Sequence, residues 1–349
     1  MSRAREIERL VERGLVPAAR AADLERVASR WSVALTREVA DAIDPGDPRD
    51  PLALQLVPST DELAPLSDEL ADPIGDLAHQ PLPGIVHRYP DRVLLLPTHA
   101  CAVYCRFCFR RERVGPGAEA LTADELGRAL DYVAADPRIW EVILSGGDPL
   151  VLSPRRLAEI VQRLERIPHV QVIRIHTRVP TLDPGRVTDE LVAALSARKA
   201  VWVVLHVNHA RELELGAREA CARLLRAGIP LLAQTVLLAG VNDAPAALEA
   251  LFRALVAMRV KPYYLHHLDR APGTARFRTS LGAGQELMRG LRGRVSGLCQ
   301  PTYVLDLPGG AGKVPVGPSY LGECVDGARE LRDWQGKTHL WLEREDDSP

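Results

Sequence analysis

The 349-residue chain has no apolar stretch long enough to cross a membrane; its longest candidate, Ile229 to Val241, is interrupted by Gln234. The N-terminus, Met1-Ser-Arg-Ala-Arg-Glu-Ile-Glu-Arg9, has none of the apolar core that a secretory leader needs. An excess of charge of one sign is also missing. The chain has 44 Lys and Arg against 46 Asp and Glu, and a net charge of −2 points to neither a nucleic-acid nor a membrane partner. Cysteine is scarce, six in all, and three of the six are clustered, which argues against a disulfide framework. No internal repeat or low-complexity tract occurs. What remains is a globular composition, 46% hydrophobic and 26% charged, expected in a reducing cytoplasm.

The clustered cysteines, Cys101, Cys105 and Cys108, form the run C-x3-C-x2-C. Three thiolates on one loop can hold a [4Fe–4S] cluster and leave one iron open to an exchangeable ligand. S-adenosylmethionine (SAM) is the usual occupant for this spacing. A zinc site completed by His99 is the alternative, but zinc ligands usually come as paired units such as C-x2-C, and no second pair exists here. Cys221, Cys299 and Cys324 stand alone and are expected to be small, partly buried apolar side chains.

From about residue 90, short apolar runs alternate with amphipathic ones. Strands are expected at 93–96, 142–144, 172–176, 201–207, 231–236 and 263–265, and helices at 123–135, 154–166, 188–197, 218–227 and 245–258. This rhythm predicts parallel βαβ units in an α/β fold, a partial (β/α)6 barrel open on one side; a doubly wound sheet is the alternative. Ile7, Leu10, Val11 and Leu15 recur at helical spacing near the N-terminus, and 44–83 is rich in Pro, Asp and Leu and reads as irregular. The expected organisation is a helical and wrapping segment at 1–85, the barrel at 86–295 and a C-terminal extension at 296–349. Barrel chemistry gathers at the C-terminal ends of the strands. Polar groups do lie at these ends: Cys101, Ser145-Gly146-Gly147-Asp148, His176, His206, Gln234 and Asp269.

The two glycines after Ser145 would let a backbone edge approach a ligand, with Asp148 accepting from an ammonium; an ordinary capped βα turn is the alternative. Lys313 ends the flexible, glycine-rich turn Pro308-Gly-Gly-Ala-Gly-Lys313, which lacks the first glycine and the hydroxyl of a Walker loop. It suits a Schiff base with an aldehyde such as pyridoxal phosphate (PLP), or is a solvated surface lysine. Arg88 and Arg92 suit a phosphate, or pair with Asp91. Arg110, just after the cysteine loop, suits a carboxylate.

In combination these motifs resemble the lysine 2,3-aminomutase family of radical SAM, PLP-dependent enzymes. The resemblance covers about residue 45 to the C-terminus. It rests on His87-Arg-Tyr-Pro-Asp-Arg92, the cysteine loop with Arg110, Ser145-Gly-Gly-Asp148, His206-Val-Asn-His209, Gln234 with Leu238-Ala-Gly-Val-Asn-Asp243, Lys261-Pro-Tyr-Tyr264, and Asp306-Leu-Pro-Gly-Gly-Ala-Gly-Lys313. It implies a radical SAM barrel with a C-terminal PLP-lysine extension. It implies a [4Fe–4S] cluster on Cys101, Cys105 and Cys108, and a SAM site that includes Ser145, Gly146, Gly147, Asp148, His206 and Gln234. Arg88 and Arg92 would hold the PLP phosphate, and Lys313 would carry the Schiff base. Arg110 would bind the substrate carboxylate. Asp269 and Asp306 would bind the side-chain ammonium of lysine, a pair that the glutamate-using members lack.

The implied reaction moves the α-amino group of L-lysine to C3, giving β-lysine, with an electron donor such as flavodoxin or ferredoxin and a homo-oligomeric state. The stretch Leu265-His-His-Leu-Asp269-Arg-Ala-Pro-Gly273 also resembles the branch that isomerises lysine for modification of elongation factor P. The cysteine-rich, zinc-binding extension of enzymes acting on free lysine has no counterpart up to Pro349, and Ala244 stands where its remote cysteine is expected. Rival readings are an aminomutase acting on another amino acid, a radical SAM enzyme without PLP, and a non-catalytic iron–sulfur or zinc protein.

Overall fold

A computed structural model describes residues 3–214 and 216–342; residues 1–2 and 343–349, which belong to the expected first and last segments, lie outside the described residues. Four short helices come first: α1 (Arg3–Glu12), α2 (Ala21–Arg30), α3 (Arg37–Ala42) and α4 (Pro51–Leu56). The last is started by Asp50, whose carboxylate accepts from the Leu52 and Ala53 amides, with Pro51 in the first turn. Two strands follow, β1 (Ile85–Tyr89) and β2 (Arg92–Thr98), and then the cysteine loop. The alternation continues as α5 (Ala123–Ala135), β3 (Glu141–Gly146), α6 (Pro154–Glu165) and β4 (Val172–Thr177). Two short helices, α7 (Val179–Leu182) and α8 (Asp189–Ala194), precede β5 (Ala200–His206). Next come α9 (Ala217–Arg226), β6 (Leu231–Val236), α10 (Pro245–Ala257), β7 (Val260–His266), α11 (Leu281–Leu291), β8 (Thr302–Leu307) and β9 (Gly312–Pro315). A separate meander of β10 (Leu321–Val325), β11 (Ala328–Arg332) and β12 (Thr338–Leu342) ends the described chain. Among the described residues no helix is long and apolar enough to cross a membrane.

The strands of the main sheet lie in chain order from β1 to β9. β2 to β8 are all parallel, while β1 and β9 are antiparallel to their neighbours. The sheet curls until its two edges nearly meet: the Lys313 amide on β9 donates to Tyr89 Oη on β1 at 2.8 Å. The expected barrel is thus present. It has one parallel strand more than the six expected, because β8 also joins.

The longer helices between the strands each bury one stripe against the sheet. In α6, for example, Leu157, Ile160, Val161 and Leu164 recur at helical spacing and are all buried, beginning from the N-cap Ser153. Lys313 lies on β9 opposite Asp306, not in a loose turn. Cys221 and Cys299 are buried as expected, but Cys324 lies exposed on β10.

The N-terminal segment wraps the cysteine loop. Glu62 is fully buried and accepts from Arg106 Nε at 2.9 Å and from Nη2 of both Arg106 and Arg111. Arg106 also donates to the Ser32 carbonyl at 2.7 Å, and Arg111 to the Gly273 carbonyl at 2.9 Å. Burial alone would raise the Glu62 carboxyl, but the guanidinium groups of Arg106 and Arg111 outweigh it and hold it below the ordinary range. Its contribution to stability is therefore present above the usual carboxylate range and lost as pH falls through the lowered value. Glu62→Gln leaves two buried guanidinium groups without their anion. It is expected to cost about 3–5 kcal/mol, read as a lower denaturant midpoint. A midpoint equal to that of the parent would show that the arginines find other partners.

Candidate active site

The C-terminal ends of the parallel strands open onto one cavity of about 630 Å³. Cys101, Cys105 and Cys108 line it, together with Ser145 to Asp148, His206, Gln234, Arg88, Arg92, Arg110, Asp269, Asp306 and Lys313. Every residue given a part in the implied cluster, SAM, PLP and substrate sites therefore lines the same space, although these residues span Arg88 to Lys313.

Burial pushes the Cys101 and Cys108 thiols up, Cys108 to about 11, and the neighbouring cysteines add to the shift. Such thiols keep their protons unless a cation takes the protons' place. A cation is already aimed at the group: Arg178 Nη1 lies 2.9 Å from Cys105 Sγ. The other end of that guanidinium donates to Glu212 at 2.6 Å and to Gln55 at 3.1 Å.

Gly146 and Gly147, which line the cavity, also have a packing use that the sequence did not suggest. A Cβ on Gly147 would stand 2.1 Å from the Ala100 carbonyl oxygen, and one on Gly146 2.4 Å from that of Thr98. The Gly147 and Asp148 amides donate to these carbonyls, both at 2.8 Å. The close approach is thus between two loops of the protein, and it fixes the start of the cysteine loop against β3. Asp148 is buried and its carboxylate accepts from Thr177 Oγ1 at 2.7 Å, the Arg178 amide at 2.7 Å and the Leu150 amide at 3.0 Å. It caps the turn, as the alternative reading held. His206 and Gln234 sit side by side in register on β5 and β6, and His206 Nε2 is buried with no protein partner.

Arg110 donates to Asp76 at 2.7 Å and to Ser145 Oγ at 3.2 Å. Arg88 reaches the same Asp76 at 3.2 Å and leaves its buried Nε unpartnered. Arg92 pairs with Asp91 at 2.6 Å and stacks 3.9 Å over the Tyr89 ring. Asp306 is ion-paired with Lys313. Burial opposes ionisation of Asp306, yet the neighbouring His266 ring and the Lys313 charge bring its carboxyl down to about 2. Asp269 behaves oppositely: burial, then the Asp306 charge, push it up to about 7.

The Radical SAM superfamily model matches residues 95–251, and the model for Lysine-2,3-aminomutase matches 288–348. The L-lysine 2,3-aminomutase of Clostridium subterminale is 42% identical over 304 residues, covering 87% of this chain and 73% of the relative. A putative L-lysine 2,3-aminomutase of Aquifex aeolicus is 44% identical, covering 85% of this chain and 81% of the relative. The chain belongs to the lysine 2,3-aminomutase family. A glutamate 2,3-aminomutase of Clostridioides difficile is also similar, 36% identical over 90% of this chain and 74% of its own. The protein is therefore a radical SAM isomerase of the aminomutase type with an amino acid as its small-molecule substrate, and the family implies a [4Fe–4S] cluster, SAM and PLP.

The residues fit these groups. Among the described residues, no three His, Cys, Asp or Glu side chains are gathered as ligands to a single ion. The three thiols instead share a cavity wall, which suits a cluster in which each sulfur meets a different iron. The unpartnered nitrogens of Arg88, His176 and His206 lie along the same cavity, as polar groups awaiting a ligand do. Four cavity groups escaped the sequence reading in whole or part: Arg178, His176, His266 on β7, and, joined to the wall through Arg88 and Arg110, Asp76. His176 and the pair His266-His267 were visible as strand-end polar residues. Nothing local marked Asp76 or Arg178.

Proposed function

We propose that the protein converts L-lysine to β-lysine with PLP as partner to the SAM chemistry. One observation carries the choice of lysine: two carboxylates, Asp269 and Asp306, share the cavity with Arg110 and Lys313. A carboxylate tail would meet like charge there, and an ammonium tail would meet its complement. When bound, the cluster and SAM supply hydrogen-atom abstraction, and PLP carries the migrating nitrogen.

The chain's own residues bind and orient. Cys101, Cys105 and Cys108 hold the cluster, with Arg178 offsetting its negative charge. His206 and Gln234 face SAM from adjacent strands, and Ser145, Gly146, Gly147 and Asp148 frame the edge beside it. Arg88 and Arg92 take the PLP phosphate, and Lys313 its aldehyde carbon. Arg110 holds the substrate carboxylate, and Asp76 holds Arg110 in place. Asp306 neutralises Lys313 in this structure, so it serves the substrate tail only once Lys313 is engaged elsewhere. Asp269 is free of that duty. The same reading includes a wrapping segment at 1–85, a C-terminal extension at 296–349 whose first two strands, β8 and β9, join the barrel sheet, a flavodoxin- or ferredoxin-like reductant, a homo-oligomer and a reducing cytoplasm. The resemblance of 265–273 supports delivery of β-lysine to elongation factor P as one use of the product.

Asp269→Asn removes one charge-assisted bond to the tail, worth about 1.5–3 kcal/mol, so half-saturation is expected to need about ten- to a hundredfold more lysine. An unchanged lysine requirement would remove Asp269 from the substrate site. The raised carboxyl of Asp269 adds a pH signature. Below about pH 7 it is protonated in the free protein, and an ammonium partner favours its ionised form. Lysine binding should then release a proton, and affinity should rise with pH up to about 7 and level off above it. Calorimetry in buffers of different ionisation enthalpy measures this release; its persistence in Asp269→Asn would assign it to another group.

A further inference from the structure

We infer that His266 is the base that takes the ammonium proton of Lys313, so that Nζ can attack an aldehyde. This rests on the reading of Lys313 as the cofactor lysine.

His266 is the last residue of β7, and its Nδ1 lies 3.3 Å from Lys313 Nζ and 3.6 Å from Asp306 Oδ2. Its Nε2 is buried and meets no protein acceptor. Lys313 is held by Asp306, and an ammonium so held has no lone pair with which to form a bond. Asp306 is a poor proton acceptor, because its carboxyl already sits at about 2. His266 is better matched. Burial, then the Lys313 charge, lower its pKa against the pull of Asp306, so the ring is neutral and its Nδ1 lone pair faces the ammonium. That contact places the ring hydrogen on Nε2.

The other groups around His266 do not compete. Tyr264, on the same strand, has its ring 5.6 Å away and its phenol pushed up by burial. His176 on β4 and His206 on β5 are buried and shifted well below the ordinary imidazole range, and no hydrogen bond joins either to Lys313. Asp269, in the loop after β7, acts on Lys313 only through its charge.

The proton passes from Nζ to Nδ1, leaving a neutral amine and an imidazolium whose charge Asp306 then faces. The amine lone pair forms the bond to the aldehyde carbon. The aldehyde oxygen leaves as water with the two amine hydrogens, and His266 returns its proton to the new imine nitrogen. The sum is ammonium plus aldehyde giving protonated imine plus water, with no redox partner.

The test uses the full chain freed of PLP, with pyridoxal 5′-phosphate as probe, and follows the visible band by stopped flow across about pH 5.5–9.5, spanning the ordinary His and Lys ranges. Wild-type rates should level off above the His266 pKa. His266→Gln keeps a polar side chain but takes no proton, so at pH 7 it should be about tenfold to a hundredfold slower and keep rising with pH. Should that variant fold poorly, His266→Ala with added imidazole replaces it: recovery of rate supports the base role, and no recovery opposes it. A His266→Gln profile equal to wild type overturns the inference and leaves the Lys313 reading intact. Borohydride reduction of the wild-type protein separates the two, since a pyridoxyl label away from Lys313 overturns that reading and the inference with it.

Discussion

Replacing Cys101, Cys105 or Cys108 with alanine is expected to abolish reductive cleavage of SAM. The three thiols line the cavity together, and two of them, Cys101 and Cys108, are pushed up by burial and then by a neighbouring cysteine, Cys108 for Cys101 and Cys105 for Cys108. A cation must compensate them, and with three ligands only, loss of one leaves the cluster on two. Anaerobically reconstituted wild type should hold about four irons and four sulfides per chain and release 5′-deoxyadenosine and methionine on reduction. Each alanine variant should lose iron and fall to background in both products. Substitution of Cys221, Cys299 or Cys324 should leave both unchanged, since two of these are buried in packing and the third is exposed on β10. One zinc per chain without acid-labile sulfide would contradict the assignment.

The second large effect concerns Lys313. Lys313→Ala should eliminate the visible band of bound PLP and amino-group migration, while the cluster and SAM cleavage persist. Lys313 lies on β9 opposite Asp306 and its hydrogen bonds run to Asp306, His266 and Tyr89 rather than to the cysteine loop, so its loss should leave the thiols in place. It does leave Asp306 without its ion-pair partner, and the Asp306 carboxyl should move up from about 2. Borohydride reduction of wild type should place the pyridoxyl group on Lys313. A label on Lys199, Lys261 or Lys337 would refute the assignment.

Much of the barrel was legible because its strands bury both faces and its helices carry a clean apolar stripe. Ala123–Ala135 is a helix between the residues expected, with a Thr122–Glu125 capping box at its start. β8 was not foreseen because the helix before it is obscured by Gly282, Gly284 and Gly290. At Gly284 packing demands glycine, since a Cβ would stand 2.1 Å from Tyr303 Oη on β8. The meander β10–β12 was missed because its strands are largely exposed and show no burial pattern for the sequence to reflect. The run 309–312 reads as a loose turn from its glycines, yet pairing with β8 draws Gly312–Pro315 into the sheet.

In the site, residues grouped along the chain were readable and residues grouped only in space were not. The cysteine loop and the run ending at Lys313 announce themselves locally. Asp76 acquires meaning only because Arg110, 34 residues later, donates to it. Arg178 does so only because Cys105 lies 73 residues earlier. The glycines after Ser145 suggest room for a ligand, but that they also let the backbone of Thr98 to Ala100 come close is visible only in the fold.

The central claim, a lysine 2,3-aminomutase using SAM and PLP, is tested most directly by anaerobic incubation of the reconstituted protein with reductant, SAM, PLP and L-lysine, with L-glutamate as a parallel substrate, and product analysis by mass spectrometry. β-Lysine from lysine and no product from glutamate is the result this account predicts. Lysine returned unchanged while SAM is cleaved, or efficient conversion of glutamate, would contradict it.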